Sequence, residues 1–167
     1  MSNERLRVGL IGGGGPGAFF AHAHERAIHL DGTRQVIAGA LRSDPDKAIE
    51  AAANWLYPIH GYGSWQDMLD ARNNGFEELD YVTIVTPNHA HFEPAFAFIE
   101  AGIPVFCEKP MTMTVDEAYR LEALIQEKNV PFALAHTYLG HWTLRLARHI
   151  VRSGLLGDIR WVDASYL

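Results

Sequence analysis

The chain has 167 residues, which is long enough for one full domain and little more. It is 48% hydrophobic and 20% charged, as is ordinary for a soluble globular protein, and its net charge of -6 includes no basic tract, which argues against a nucleic-acid partner. No apolar run approaches the length of a membrane span, and the first residues lack the apolar core of a signal peptide, so we expect no membrane partner. The single cysteine, Cys107, excludes an internal disulfide and suits a reducing cytoplasm, where we expect the protein to act.

Strand and helix patterns alternate along most of the chain. The predicted strands are 6–11, 35–41, a short one near 59–60, 80–85, 103–107 and 130–135. The predicted helices are 17–30, 43–54, 64–69, 92–101 and 114–129, and capping residues begin three of them at Ser43-Asp44-Pro45, Ser64 and Thr114. This alternation implies right-handed crossovers, and it predicts an α/β domain whose doubly wound parallel sheet is covered by helices on both faces.

The pattern changes near the end of the chain. Residues 141–153 predict a further helix, and residues 157–167 predict a strand. A single strand needs partners to pair with, so we interpret 139–167 as the first helix and strand of a truncated α+β second domain whose remainder is absent. We expect this segment either to pair with its copy in a dimer or to fray, with Trp161, Val162, Tyr166 and Leu167 available for burial.

A glycine-rich turn separates the first strand from the first helix. Gly12, Gly14 and Gly17 match the spacing G-x-G-x-x-G, and the strand-turn-helix context predicts a dinucleotide-binding unit. In this interpretation Gly12 allows the tight turn, Gly14 lets the backbone approach a pyrophosphate, and Gly17 lets the helix pack closely on the strand. Pro16 would fall near the first helical position, and the helix N-terminus would bind the phosphates. The alternative is a mobile glycine linker, which the flanking elements disfavour.

Two further motifs directly follow predicted strands. Thr86-Pro87-Asn88 follows the strand 80–85, and Glu108-Lys109-Pro110 follows the strand 103–107. Ligands of open α/β sheets bind outside the carboxyl ends of the strands, so we expect both motifs on the side of the cofactor.

Together with the glycine turn, these motifs resemble the Gfo/Idh/MocA family of glucose-fructose oxidoreductases and inositol dehydrogenases. Val130-Pro131-Phe132, His24 and the segment 153–159 also match, and the resemblance covers essentially the whole chain. It implies an NAD(P)-dependent oxidoreductase whose Rossmann domain, here 1–138, binds the cofactor. Such enzymes transfer a hydride between the nicotinamide and a sugar, a cyclitol or a related polyol. The resemblance also implies a homo-oligomer.

The resemblance implies roles for the residues of the two motifs. Lys109 would be the catalytic residue, because a cation near the nicotinamide and the reacting carbon polarises a hydroxyl or carbonyl and helps the proton move. Glu108 would orient the backbone or contact the nicotinamide end, Pro110 would fix the turn with a cis bond, and Thr86-Pro87-Asn88 would line the cofactor cleft. The alternatives are a solvated surface lysine at Lys109 and a structural ion pair at Glu108.

The end of the second strand departs from the NAD-preferring pattern. Such members carry an acidic residue there for the ribose 2′-OH, whereas this chain has Leu41-Arg42-Ser43-Asp44. Arg42 and Ser43 suit a 2′-phosphate instead, and Asp44 is better explained as a helix cap. The sequence therefore favours NADP slightly over NAD. The alternative is that Arg42 faces solvent and the adenosine stacks on it with either cofactor.

The nine histidines do not predict a metal site. No helical i, i+4 pair with an acidic third ligand is present, so we expect no bound metal. His22 and His24 are expected to pack or to lie on the surface of their helix. His136 and Tyr138, at the end of the last predicted strand, either face the substrate or form a domain-junction contact.

Two other classes of function stay open at this point. One is a catalytically silent dinucleotide-binding module, which the shortness of the chain favours and which turnover of a polyol would contradict. The other is a methyltransferase with a related glycine turn, against which the Glu108-Lys109-Pro110 motif argues.

Overall fold

The computed structural model of the chain describes residues 5–165 and divides after Ala135 into two units. The strands are β1 (Leu6–Ile11), β2 (Arg34–Ala40), β3 (His60–Gly61), β4 (Tyr81–Ile84), β5 (Val105–Cys107) and β6 (Phe132–Leu134). The helices are α1 (Phe19–His29), α2 (Pro45–Ala53), α3 (Trp65–Asn73), α4 (Phe92–Glu100), α5 (Val115–Lys128) and α6 (Trp142–Arg152). Short 3-10 turns cover Asn88–Ala90 and Thr137–Gly140.

The six strands form one sheet in the order β3-β2-β1-β4-β5-β6, and every pair is parallel. This confirms the predicted doubly wound α/β fold. Ile11 at the end of β1 pairs with Ala40 on one side and Ile84 on the other, so three strands end at the same level. The strand order reverses direction between β1 and β4, and a crevice opens at such a point beyond the carboxyl ends.

Side chains of β1 alternate between two apolar layers. Val8 and Leu10 pack with Ala21 and Ile28 of α1, whereas Ile11 packs in a separate cluster that includes Phe98 of α4. Both clusters are fully buried at these positions, as a parallel sheet covered on both faces requires. The apolar and β-branched composition of the strands therefore follows from their having no solvent-facing side.

Side-chain caps begin three of the helices where the sequence predicts them. The Asp44 carboxylate accepts the Lys47 N–H at 3.0 Å, and the Ser64 hydroxyl accepts the Asp67 N–H at 3.1 Å. Thr114 and Glu117 form a complete capping box at the start of α5. Asp44 is thus engaged at the start of α2, as predicted.

Two predicted helix boundaries are wrong by a few residues. The first helix begins at Phe19 and not at Gly17, because Gly17 adopts φ +78°, a left-handed conformation that no α-helix contains. Pro16 therefore lies in the turn and not in the first helical position. The helix that starts after Ser64 extends to Asn73, beyond the predicted Leu69.

The second unit contains the Thr137–Gly140 turn and α6, as the predicted helix 141–153 requires. The predicted strand at 157–167 is wrong for residues 157–165, which have no regular secondary structure. Tyr166 and Leu167 lie outside the described residues. Within residues 136–165 there is no strand with which this segment could form a ladder, and an unpaired segment gains nothing from an extended backbone.

Asp80 joins the starts of the two central strands, β1 and β4. Its carboxylate accepts the Arg7 backbone N–H at 2.6 Å and the Arg7 Nε–H at 3.2 Å. The hydrogen bonds from the Arg7 side chain lower the pKa of Asp80 below 3.8, although partial burial opposes them. Its stabilising contribution is fully present above the unfolded-state pKa and is lost as the pH falls through the lower folded-state value.

We expect Asp80→Asn to lower the free energy of unfolding at pH 7 by about 1 kcal/mol, because the ion pair is partly exposed. As the pH falls through the lowered folded-state pKa of Asp80, the difference between the variant and the parent chain should shrink towards zero. Urea unfolding at several pH values measures both effects. Asp70→Asn, at an exposed carboxylate of α3, is the control, and a pH-independent loss for Asp80→Asn would contradict the interpretation.

Candidate functional site

A cleft of about 990 Å³ lies at the carboxyl ends of β1, β2 and β4. Six of the predicted site residues line it: Gly12, Gly17, Arg42, Ser43, Thr86 and Pro87. These residues come from three separate turns, which the aligned ends of the strands bring together. The other four predicted residues, Gly14, Asn88, Glu108 and Lys109, are not among those that line the cleft.

The glycine turn touches the turn that follows β4. Gly12 has φ +88°, and a Cβ placed on it would lie 2.8 Å from the Thr86 backbone nitrogen. Gly13 has φ +92°, and a Cβ there would lie 2.2 Å from the Ala21 Cβ on α1. Glycine is therefore required at Gly12 for the tight turn, as predicted, and also for contact with Thr86. The close packing of the helix on the turn depends on Gly13.

The structure contradicts the predicted role of Gly17 and gives Gly14 a packing role that the spacing did not predict. A Cβ at Gly14 would meet the Cβ atoms of Leu41 and Ala51 at 2.8 and 2.9 Å, so this glycine is required for packing against the end of β2 and against α2. A Cβ at Gly17 would meet nothing within 4 Å, so its requirement is the positive φ and not close packing of the helix. Gly15 lines the cleft, also has open space at its Cβ position, and has no positive φ.

No side chain of the helix itself caps or neutralises the N-terminus of α1. Among the α-helices of residues 5–135, α1 is the one with neither a side-chain cap nor an acidic residue in its first turn. The first N–H groups of a helix need acceptors, and the dipole favours an anion there. The arrangement of the glycine turn and this helix end can therefore accept phosphate oxygens.

The turn after β2 carries the cleft's positive charge. The Arg42 guanidinium donates from Nη1 to the Gly14 carbonyl oxygen at 3.3 Å, which places Arg42 against the glycine turn. Ser43 is exposed beside it, and Asp44 is engaged with the N-terminus of α2. No carboxylate of the turn is therefore directed towards the cleft.

His91 ties the two motif turns together, a role that the sequence did not reveal. Its ring is buried, and its Nδ1 and Nε2 atoms lie 2.6 Å from the Pro110 carbonyl oxygen and 2.9 Å from the Thr86 carbonyl oxygen. The Thr86 hydroxyl donates to the Ala90 carbonyl at 2.9 Å and closes the turn. The turn after β4 and the turn after β5 are thus held by one side chain.

Both oxygens of the buried Glu108 carboxylate have partners within the protein. Its Oε1 lies 2.8 Å from His24 Nε2, and its Oε2 accepts the Lys109 backbone N–H at 3.0 Å. Both side chains of the pair are largely buried. The Lys109–Pro110 bond is cis, as the resemblance implies, and Lys109 is exposed with its Nζ 5.8 Å from the centre of the Phe20 ring.

The thiol near the site, Cys107, is unreactive near neutral pH. Burial, assisted by the Glu108 charge, raises the pKa of the Cys107 thiol to about 12, so this thiol is not a nucleophile near neutral pH. Residues 5–165 contain no group of three His, Cys, Asp or Glu side chains that could hold a metal ion. Over the same residues, none of the helices is both long enough and apolar enough to cross a bilayer.

The segment that follows β3 also lines the cleft, with Gly63, Ser64, Trp65 and Gln66. No motif of the sequence marks these residues as part of the site. Because β3 is parallel to β2 and next to it, its carboxyl end opens on the same side of the sheet. The short predicted strand near 59–60 was therefore the signal that could have found them.

Comparison with known proteins agrees with this geometry. Residues 6–136 match the GFO_IDH_MocA family, described as an oxidoreductase family with an NAD-binding Rossmann fold. The chain belongs to the Gfo/Idh/MocA oxidoreductase family. This confirms the resemblance based on the glycine turn, Thr86-Pro87-Asn88 and Glu108-Lys109-Pro110, and it contradicts the methyltransferase alternative.

Relatives in the family include enzymes of sugar and inositol chemistry. The levoglucosan dehydrogenase of Pseudarthrobacter phenanthrenivorans is 31% identical over 98% of this chain and 41% of its own length. An oxidoreductase from Sinorhizobium meliloti is 35% identical with a TM-score of 0.83, over 94% of this chain and 44% of that structure. An inositol dehydrogenase homolog from Azotobacter vinelandii, complexed with NADH and myo-inositol, is 29% identical with a TM-score of 0.84, over 94% and 41%. The chain spans about two fifths of the length of these relatives.

We expect His91→Leu to lower the free energy of unfolding by about 1 to 3 kcal/mol, because the buried ring no longer donates a hydrogen bond to a carbonyl oxygen of the two turns. Thermal or urea unfolding measures the loss. His89→Leu, at the exposed histidine of the same turn, should change stability by less than about 0.5 kcal/mol. Equal effects of the two substitutions would show that His91 does not hold the turns together.

Proposed function

We propose that residues 5–135 bind a nicotinamide dinucleotide in the cleft, with its pyrophosphate at the glycine turn and the N-terminus of α1. The observation that carries the proposal is that the N-terminus of α1, which has no side-chain cap, follows Gly15 in a cleft at the carboxyl ends of the strands. Gly12, Gly17, Thr86 and Pro87 would contact the cofactor. Membership of an NAD-binding family supports the same assignment.

The proposed reaction is hydride transfer between the nicotinamide and a sugar, a cyclitol or a related polyol. Lys109 would act on the reacting oxygen, because its exposed ammonium stands at the carboxyl end of β5, while Glu108 orients its backbone and Asn88 stands in the neighbouring turn. The activities that name two relatives, levoglucosan dehydrogenase and inositol dehydrogenase, support this substrate class. We propose 1–138 as the cofactor-binding domain and 139–167 as the start of a substrate and oligomerisation domain. Homo-oligomer formation and a cytoplasmic location stay predictions.

We further propose that NADP is slightly preferred over NAD. Arg42 and Ser43 supply a guanidinium and a hydroxyl beside the glycine turn, and the nearest carboxylate, Asp44, is occupied by the Lys47 N–H. A 2′-phosphate would find hydrogen-bond donors there, whereas the 2′-OH of NAD would find no acidic acceptor.

A second candidate function is a catalytically silent dinucleotide-binding module. The observation that favours it is that neither Glu108 nor Lys109 is among the residues that line the cleft. Dinucleotide binding without turnover of any polyol would support this candidate over the enzyme.

The cofactor site is tested at Gly15, since this residue faces the cleft and tolerates a side chain on steric and backbone grounds. Gly15→Asp places a carboxylate near the pyrophosphate, and a repulsion of about 3 kcal/mol at 5 to 6 Å should weaken NADPH binding by roughly 100-fold. Calorimetric titration measures the affinity.

Gly140→Asp is the matched control, because Gly140 also has open space at its Cβ position and no positive φ but lies in the second unit. This control should bind NADPH as the parent chain does. Equal affinity of the Gly15→Asp variant and the parent chain would place the dinucleotide elsewhere.

The cofactor preference is tested with Arg42→Ala. Loss of one charged contact to the 2′-phosphate should weaken NADPH by about 10- to 150-fold and NADH much less. Arg26→Ala, at an exposed arginine of α1, removes the same charge outside the cleft and should change neither affinity. A parent chain that binds NADH and NADPH equally would refute the preference.

The role of Lys109 is tested by turnover with a polyol and a nicotinamide cofactor, in a form of the protein that carries the second domain. Lys109→Met should lower kcat by about 100-fold or more while the dinucleotide affinity stays unchanged, because the lysine acts on the reacting oxygen. Lys128→Met, at the end of α5, is the control. Full turnover by Lys109→Met would assign the proton chemistry to another residue.

A further inference from the structure

One face of α1 reaches both residues of the Glu-Lys pair that follows β5. Phe20 and His24 are four residues apart on this helix, so their side chains lie on the same face. His24 contacts Glu108, and Phe20 contacts Lys109. Two neighbouring side chains of one helix thus hold two consecutive residues of a turn more than 80 positions away in the sequence.

The His24 contact fixes the backbone of the turn. One Glu108 oxygen lies 2.8 Å from His24 Nε2, while the other accepts the Lys109 N–H at 3.0 Å. The side chains of His24 and Glu108 are 16% and 7% exposed, so little water competes for the pair. The His24 ring is also held by an edge contact with Phe106, 5.3 Å between ring centres.

The Phe20 contact concerns the ammonium group. Lys109 Nζ lies 5.8 Å from the centre of the Phe20 ring, within the range of a cation–π contact. The other two lysines of the sequence lie near carboxylates, with Lys47 3.8 Å from Asp44 and Lys128 3.9 Å from Glu127. An aromatic ring restricts the position of the ammonium without neutralising its charge, as a carboxylate would.

We propose that Phe20 and His24 are positioning residues for Lys109. His24 orients the Lys109 backbone through Glu108, and Phe20 holds the ammonium on the side of α1. The inference rests on the proposed function in one respect, which is that Lys109 acts in hydride transfer. Because α1 begins two residues after Gly17, the same helix joins the phosphate end of the cleft to the reacting lysine.

This assignment unites the two alternatives that the sequence left open for Glu108. The carboxylate is half of a buried pair, and the same carboxylate orients the residue that the reaction needs. A purely structural pair would affect stability alone, whereas a positioning role also sets the surroundings of the Lys109 amide and ammonium. The test therefore reads those two groups directly.

The Phe20 contact is tested by NMR of the full chain after reductive ¹³C-dimethylation, which keeps the charge of each lysine. The sequence contains three lysines, so Lys47 and Lys128 serve as internal references, and Lys109→Arg assigns the remaining signal. The ring current of Phe20 should shift the Lys109 methyl signal upfield. Phe20→Leu should abolish this shift, and Phe20→Tyr should retain it.

The His24 contact is tested on the Lys109 amide signal in a ¹⁵N-labelled chain. Donation to the Glu108 carboxylate should move the amide proton downfield and slow its exchange with solvent. His24→Leu should reverse both effects, while His24→Gln, which keeps a donor near the Nε2 position, should restore them in part. Should His24→Leu fail to fold, His24→Gln and the Phe20 variants still decide the question.

Turnover links the contacts to the reaction. Phe20→Leu should lower kcat by about fivefold with an unchanged KM for the dinucleotide, and Phe20→Tyr should restore it. A Lys109 methyl signal at the reference position, or one that Phe20→Leu does not move, overturns the inference. Shifted signals in a chain that binds neither NADH nor NADPH would overturn the proposed function and leave the two contacts established.

Discussion

The contact between the glycine turn and the backbone of Thr86 is the constraint on which the site depends. A Cβ at Gly12 would come within 2.8 Å of the Thr86 nitrogen, so the two turns can meet only when this residue is glycine. The contact exists because β1 and β4 are neighbours whose ends are level. Any larger residue would push the glycine turn away from Thr86 and change the shape of the cleft that both turns line.

The turns of the site are held together mainly by hydrogen bonds between side chains and main-chain carbonyl or N–H groups. His91 is held between the carbonyls of Thr86 and Pro110, and Glu108 accepts the Lys109 N–H, so side chains join one turn to the next through backbone atoms. Such contacts depend little on the identity of the exposed residues in between. The exposed positions of the same turns, such as Pro87, Asn88 and Lys109, can therefore differ in chemistry while the framework stays the same.

The fold could be predicted from the sequence because local signals and burial agree. Apolar strands, the caps at Asp44, Ser64 and Thr114, and the glycine turn all point to one doubly wound sheet. The terminal strand could not be predicted correctly, since alternating side chains such as those around Trp161 indicate a strand only where a neighbouring strand accepts its hydrogen bonds. The local preference for a strand is present in this segment, but the neighbouring strand that it needs is absent from residues 136–165.

The site could be predicted in part. The spacing rule singled out Gly12, Gly14 and Gly17, but it gave the wrong reason for Gly17 and did not reveal the packing of Gly14. The neighbours of a turn, here Leu41 and Ala51, are set by the tertiary structure. The partners of His91 and His24 lie 5 to 19 and 84 positions away along the chain, and no local pattern encodes such pairings. The sequence thus points to the turns of the candidate site, while the fold decides which groups support those turns.

The one thiol of the protein has a use beyond the site. Cys107 is fully buried on β5, paired with β4 on one side and β6 on the other, and its raised pKa keeps it protonated. A thiolate-selective reagent can therefore modify it only after these strands separate. The rate at which dilute reagent alkylates Cys107 then reports how often the sheet opens. No engineered probe is needed, because the chain carries a single reporter at its centre.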